Sequence, residues 1–268
     1  MTDRAIAIIQ ARMSSSRLPG KVMMPLAGRP MIWHIVQRAR ACELVSEVVV
    51  AISSEPSDDV LADFCAKMSI KCHRGSLNNV LSRYTDILDA GSYDYCVRIT
   101  GDCPLIDPAS IDQQILVLRQ HKADFIWLTD PVTVLEGQGV HSVRSLSYIA
   151  ERTRHPDDFE HVGSRYISEY PEQFQIIGMR PPKSLSDLNW RVTVDESRDY
   201  ELMESLYDDL FVGQPIPLSK ALDWLAKNPD KSGLNKGVKH SSINRELALC
   251  RQRWRCNVKI FCDWGLDQ

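Results

Sequence analysis

The sequence predicts an α/β protein with a doubly wound, mainly parallel sheet. Two observations lead there. Short apolar runs of strand type alternate with amphipathic segments of helical period from Arg4 to Leu128, the order that builds parallel sheets with helical crossovers. Midway, Asp107-Pro108 is a strong helix start, with Asp as N-cap and Pro at the first helical position.

The elements follow in order. Arg4 to Gln10 reads as a buried strand, Met31 to Cys42 as a helix, Glu47 to Ile52 as a strand and Asp58 to Met68 as a helix. Ser76 to Asp89 is expected to be helical, Tyr95 to Thr100 a strand, Pro108 to His121 a helix and Asp124 to Leu128 a strand. The rhythm then loosens. Val134 to Val143 reads as loop and strand around Gly137 and Gly139, followed by helical patterns at Ser145 to Thr153 and Phe159 to Glu169. Strands are expected at Gln173 to Met179 and Asn189 to Val194, and helices at Ser197 to Leu210 and Pro215 to Ala226. Asn228 to Gly237, rich in Pro, Asn, Lys and Gly, is the linker candidate. It divides a body, residues 1–227, from a C-terminal extension, residues 228–268.

Composition excludes several classes. With 268 residues, 44% hydrophobic and 25% charged, the chain is neither disordered nor a fibrous or disulfide scaffold. The longest apolar run falls far short of a membrane span and Ala5 to Ile9 is too brief for a secretory core, so a cytoplasmic protein without a membrane partner is expected. Of the 32 basic residues, eight lie between Lys231 and Ile260, where Glu246 is the single acidic residue. The body is therefore acidic and the tail basic. A solvated helix against the acidic body is preferred to nucleic-acid binding by Trp254 and its arginines. None of the eight cysteines forms a C-x-x-C pair. Cys250, Cys256 and Cys262, with His240 upstream, are six residues apart, wider than the ligand pairs of structural zinc sites.

The chemistry concentrates in Gln10 to Pro30, QARMSSSRLPGKVMMPLAGRP. This stretch leaves the first strand and enters a helix, so it occupies a strand-to-helix loop at the carboxyl end of the sheet, where α/β folds bind ligands. Arg12, Arg17 and Lys21 stand beside Ser14 and Gly20, and such a loop can surround a polyphosphate with N–H groups and fixed charge. It is neither a Walker A loop nor a G-x-G-x-x-G turn, and on charge alone a solvated basic loop remains open.

The string is similar to the N-terminal signature of the CMP-sugar-acid synthetase superfamily of cytidylyltransferases, IPAR-x-x-S-x-R-L-P-x-K, and most to its spore-coat-polysaccharide SpsF-type branch. Further matches come in order: HRGS at His73 to Ser76 with VLSRY at Val80 to Tyr84, VRITGDCPLIDP at Val97 to Pro108, EHV at Glu160 to Val162 and WRVTVDESRDYEL at Trp190 to Leu202. The resemblance implies the sheet of the nucleotide-diphospho-sugar transferases, which is GT-A-like. It also implies CTP and a sugar acid as substrates and Mg²⁺ as cofactor, and no nucleic-acid partner is expected.

Asp102 directly follows one strand and Asp195 another apolar run, so both carboxylates are expected at one sheet edge. The resemblance makes them the metal ligands, although Asp195 also suits a helix N-cap. It assigns Gln10, Ala11, Arg12, Ser14, Arg17, Gly20 and Lys21, together with Gly75, Arg83, Arg98 and Gly101, to the nucleotide. Arg98 inside a strand could instead belong to a buried ion pair. Arg12, Arg17 and Lys21 are expected to stabilise departing pyrophosphate. The acceptor would meet Gln138, His141, Glu160 and His161. The branch usually reads G-x-D-x-E where this chain has Gly139 and His141, a departure in the region facing the sugar. A metal-dependent glycosyltransferase using a nucleotide sugar, and an inactive nucleotide-binding regulatory subunit, are the rival readings. The extension, with Trp254, Phe261 and Trp264 among arginines, is expected to serve association, either with the second subunit of a homodimer or with a partner enzyme of the same pathway.

Overall fold

Ala5 to Ile9 are wholly buried, with Ala5, Ala7 and Ile9 in the core on one side and Ile6 and Ile8 on the other. A strand of this kind needs cover on both faces. The computed structural model describes residues 3–130, 132–186, 188–238 and 257–265.

In chain order the strands are β1 (Ala5–Gln10), β2 (Pro25–Leu26), β3 (Arg29–Pro30), β4 (Val45–Ser53), β5 (Lys71–Gly75), β6 (Tyr95–Thr100), β7 (Phe125–Leu128), β8 (Gln138–Ser142), β9 (Ile176–Arg180) and β10 (Ile260–Asp263). The helices are α1 (Met31–Arg40), α2 (Asp59–Lys67), α3 (Val80–Asp89), α4 (Pro108–His121), α5 (Val143–Arg152), α6 (Pro156–His161), α7 (Ser164–Glu169), α8 (Lys183–Ser186), α9 (Ser197–Leu210), α10 (Leu218–Lys227) and α11 (Pro229–Ser232). β2 and β3 form a small hairpin, and the other strands make one sheet ordered β10-β9-β7-β8-β6-β1-β4-β5. Every pairing in that sheet is parallel except those of β8, which runs antiparallel to β6 and β7. Helices α1, α2, α4, α9 and α10 supply the core on one face, and α3, α5 and α7 on the other. The expected doubly wound, mainly parallel sheet is present.

Three local expectations are corrected. Residues from Lys71 to Gly75 form an edge strand, and α3 begins later than Ser76, at Val80, where the Asn79 side chain accepts from Ser82 N at 2.9 Å. The polar string KCHRG hid this strand because it pairs only with β4 and needs little burial. Asn189 to Val194 is not a strand. Val192 and Val194 are buried, but Val194 N donates to Asp102 O at 2.8 Å, a loop rather than a neighbouring strand. The helical pattern from Phe159 to Glu169 is broken after α6, where Val162 and Gly163 take φ of 55° and 77°. A Cβ on Gly163 would stand 2.7 Å from Ile149 Cγ2, so both space and conformation call for glycine there.

The linker candidate carries structure of its own. Asn228 to Gly237 contains α11, and Asn235 is buried, its side chain donating to Arg191 O and Asp199 Oδ1 at 2.9 Å each. Farther on, β10 extends the sheet edge on β9, with Phe261 lying over Gly178. The basic stretch holding Trp254, Arg251 and Arg253, and the residues His240, Cys250 and Cys256, fall outside the described residues.

Candidate active site

The site forms at the carboxyl ends of β1 and β6, which are paired through Gln10 and Thr100. Just past that pair, Gly101 N donates to Gln10 O at 2.8 Å. A Cβ at position 101 would stand 2.9 Å from Gln10 O and 3.0 Å from the Ala11 Cβ. Glycine therefore lets the two chains touch, which aims Asp102 across at the loop after β1. That loop is closed by Gly20 N donating to Met13 O at 2.8 Å. It is pinned by the fully buried Asp58, whose carboxylate accepts from Met13 N at 2.7 Å and Ser53 N at 2.9 Å.

Lys21 follows on a single 3₁₀ turn and is only 7% exposed. Its Nζ uses all three donors, reaching Asp102 Oδ2 at 3.0 Å, Asp195 Oδ1 at 2.9 Å and Val194 O at 2.8 Å. Burial alone would lower the Lys21 pKa, but Asp102 and then Asp195 outweigh it and the net shift is upward; the ammonium is retained. For Asp195, burial works to raise the pKa, yet Lys21, Arg17 and Arg191 together hold it below the ordinary carboxylate value.

Asp195 is the hub of the charges. Its Oδ2 meets Arg17 at 2.9 Å and Arg191 at 2.5 Å, and Arg17 also lies 3.7 Å from Glu196. Arg191 spans to Asp199 at 3.1 Å. Asp199 is 1% exposed, accepts from the backbone of Asp195 and Glu196 at 3.0 Å each, and takes Asn235 at 2.9 Å. A buried carboxylate so fully bonded fixes the start of α9 and with it the position of Asp195. Arg191, Asp199, Asn235 and Asp58 were not among the residues singled out from the sequence. The i,i+4 spacing of Arg191 and Asp195 inside WRVTVD is a signal that could have found the first.

The remaining expected residues fall into smaller groups. Arg12 pairs with Glu160 at 3.0 Å, both substantially exposed, which joins the cationic loop to α6. Ala11 is buried, while Ser14 is exposed. Gly75 and Arg83 are in contact, since a Cβ on Gly75 would meet Arg83 Cγ at 2.7 Å. Arg83 is buried and donates to Ala51 O at 2.9 Å. Gln10 accepts from the buried Tyr84 hydroxyl at 3.1 Å. Gln138 is engaged at both ends, accepting from Asp107 N at 2.7 Å and donating to Ser110 Oγ at 3.0 Å, so it secures the start of α4. His141 is pushed down to about 4 by burial and secondarily by Arg98, and His161 is lowered for the same two reasons in the same order. Both imidazoles are neutral near pH 7.

The arrangement offers a cation-rich loop facing two carboxylates that share one positive charge. Among the described residues no cluster of three or more His, Cys, Asp or Glu side chains could hold a metal, and Asp102 and Asp195 converge on the Lys21 ammonium. No helix among the described residues is long and apolar enough to cross a membrane.

A family model described as Cytidylyltransferase matches residues 6–223. The chain is similar to the spore coat polysaccharide biosynthesis protein SpsF of Bacillus subtilis, 29% identical over 227 residues, covering 83% of this chain and 94% of that protein. It is also similar to a 3-deoxy-manno-octulosonate cytidylyltransferase of Geobacter sulfurreducens, 26% identical with 82% and 98% covered. Among solved structures, a cytidylyltransferase from Leptospira borgpetersenii superposes with a TM-score of 0.78 at 27% identity, covering 89% of this chain and all of that one.

Proposed function

This chain belongs to the cytidylyltransferase family, and we propose that it transfers CMP from CTP to the anomeric hydroxyl of a 2-keto-3-deoxy sugar acid for surface polysaccharide synthesis. The carrying observation is the Lys21 ammonium shared by Asp102 and Asp195 beside Arg17, a compact set of opposed charges at the carboxyl edge of the sheet. In the reaction the acceptor oxygen bonds to the α-phosphorus while the bond from that phosphorus to the oxygen bridging to the β-phosphate breaks. Pyrophosphate leaves with the electron pair and the hydroxyl proton passes to solvent. No covalent intermediate on the protein is required.

The chain's own residues position and neutralise. Arg17 and Lys21, held by carboxylates before substrate arrives, present fixed charge to the leaving pyrophosphate without reorganising. Among the described residues Arg12 pairs with the exposed Glu160 alone, an ion pair worth at most about 1 kcal/mol, so it exchanges that carboxylate for a phosphate at little cost. Gln10, Ala11, Gly20 and Gly101 shape the backbone around the nucleotide. Asp102 and Asp195 fit Mg²⁺, because two carboxylates from separate segments already converge on one cation and Mg²⁺ takes one or two protein carboxylates, with water and phosphate completing its shell. When bound there it would supply charge stabilisation to the α-phosphate. The reading includes a homodimer in the cytoplasm, and light scattering tests the dimer.

The deciding experiment incubates the chain with each nucleoside triphosphate and a panel of sugar acids that includes 3-deoxy-manno-octulosonate. Products are read by pyrophosphate release and mass spectrometry. Pyrophosphate together with a CMP-sugar acid from CTP is expected. Intact CTP alongside turnover of a finished nucleotide sugar would transfer the site to the glycosyltransferase reading, and nucleotide binding without any product would leave a regulatory subunit.

A further inference from the structure

The half of the sheet bearing β6, β7 and β8 carries buried nitrogen atoms that the protein leaves unused. Arg98 Nε, Trp127 Nε1 and His141 Nδ1 are buried without a hydrogen-bond partner among the described residues. Trp127 is only 5% exposed. Such groups cost on the order of 1 to 3 kcal/mol each when unsatisfied, so three together want an explanation.

Register brings them to one place. Arg98 of β6 lies opposite Gly139 of β8, and Cys96 lies opposite His141. On the far side of β8, His141 lies opposite Phe125 of β7. In an antiparallel pair the position two residues farther along β7, Trp127, then stands level with Gly139 and on the same face as Phe125. Phe125, Trp127 and Cys96 all belong to the core on the α3, α5 and α7 side of the sheet. Gly139 therefore has Arg98 opposite it on one neighbouring strand and Trp127 level with it on the other, with His141 two residues along its own strand. The space above it is open. A Cβ built there would find only His141 Nε2 within 4 Å, at 3.9 Å.

The charge balance gives the ligand's sign. Arg98 makes no ion pair among the described residues, so the expected buried pair is not its explanation. The neutral state of His141 and His161 fits this, since Arg98 contributes to the lowering of both after burial does. Arg98 also stands apart from the phosphate loop's own pairing. Arg12, Arg17 and Lys21 each have a carboxylate, whereas Arg98 sits two residues before Thr100, inside the strand.

We infer that the gap over Gly139 is an anion subsite, in which Arg98 and Trp127 donate to an oxyanion of the acceptor, the carboxylate of a sugar acid. Gly139 is the specificity-determining position, because an acidic side chain there would neutralise Arg98 and fill the gap. This deepens the cytidylyl-transfer reading and rests on it for the identity of the acceptor, but the subsite is testable without turnover.

The test uses the full chain labelled with ¹⁵N. The indole N–H resonance of Trp127, assigned by its loss in Trp127→Phe, is followed while pyruvate or inorganic phosphate is added to about 50 mM, spanning the weak affinities of small ligands. Saturable displacement by pyruvate is expected, weakened at least about tenfold in Arg98→Gln and in Gly139→Asp. Melting curves establish which variants are folded. Gly139→Asp leaves every existing side chain in place, so it decides alone if Arg98→Gln does not fold. Absence of a saturable shift, or equal shifts in wild type and a folded variant, overturns the subsite. Tighter saturation by phosphate than by pyruvate overturns the carboxylate assignment in favour of a phosphorylated acceptor. Pyrophosphate release on the same preparation keeps the two readings apart: a saturable subsite without release from CTP sinks the transferase reading and leaves this one standing.

Discussion

The Lys21 cluster and the Arg98 row stand along the same central strands, yet they treat charge in opposite ways. Around Lys21 every cation has a carboxylate and the carboxylates are themselves tied down, Asp195 by Arg17 and Arg191, and Asp199 by Arg191 and Asn235. Around Arg98, one guanidinium nitrogen, an indole nitrogen and one imidazole nitrogen have no hydrogen-bond partner among the described residues, on strands beside a glycine. The difference teaches that the first region is held in shape before any ligand arrives, whereas the second is incomplete without one. Preorganised charge is what a transferring phosphoryl group needs. An unsatisfied buried donor is what gives a recognition pocket its selectivity.

The largest expected effects come from opening the paired cluster. Asp102→Asn and Asp195→Asn should each abolish Mg²⁺-dependent turnover while CTP still binds weakly through the loop, as measured by initial rates and calorimetry. Lys21→Ala should lower kcat at least about a hundredfold, since losing one preorganised charge costs on the order of 3 kcal/mol. Wild-type rates in any folded member of this set would remove that residue from the mechanism and reduce the contrast to a matter of packing.

Next comes a pH dependence that belongs to the unpaired row. His141 titrates at 6.5 when unperturbed and at about 4 in the folded chain, because burial, then Arg98, opposes its protonation. Between those values the unfolded state binds the extra proton, so stability is full above pH 6.5 and is lost as pH falls toward 4, by roughly 3 kcal/mol. Urea midpoints at pH 7.5 and 4.5 should show this loss, and His141→Gln should reduce it. An unchanged slope in the variant would mean that His141 is already solvated.

Smaller effects probe the supports. Asn235→Ala strips one donor from the buried Asp199 and should cost about 1 to 3 kcal/mol in stability. It should also lower kcat modestly, through Asp195 rather than through substrate contact. The expectation of a dispensable tail becomes a direct question at this residue. Smallest of all, Glu160→Gln removes an exposed ion pair and should change stability by less than about 1 kcal/mol while strengthening CTP binding as Arg12 is released. Weaker CTP binding would show that Glu160 orients Arg12 instead of merely occupying it.

Much of the site was legible because its residues lie in short strings whose local roles do not depend on distant partners. Gly101-Asp102 after a buried strand, and Lys21 at the end of a cationic loop, are such cases. Gln138 shows the limit of this kind of reading. Its amide engages Asp107 and Ser110, partners about thirty residues away that no periodicity reveals. The pairing of Glu160 with Arg12, 148 residues away in the chain, is equally hidden from local pattern.

The sequence by itself determined the alternation of strand and helix, the loop that carries the cations and the two aspartates at strand ends. These follow from hydrophobic period and from the chemistry of neighbouring residues. Only the tertiary structure decided which charges are paired. Asp102 reaches Lys21 because Gly101 lets β6 touch the end of β1, and Asp195 joins them because Val194 bonds to Asp102 across 92 residues of chain. Arg98 Nε has no partner among the described residues, and register sets Arg98 against a glycine. Pairing depends on distance in space, which strand register and loop closure set, and neither is encoded in the local pattern of any one segment.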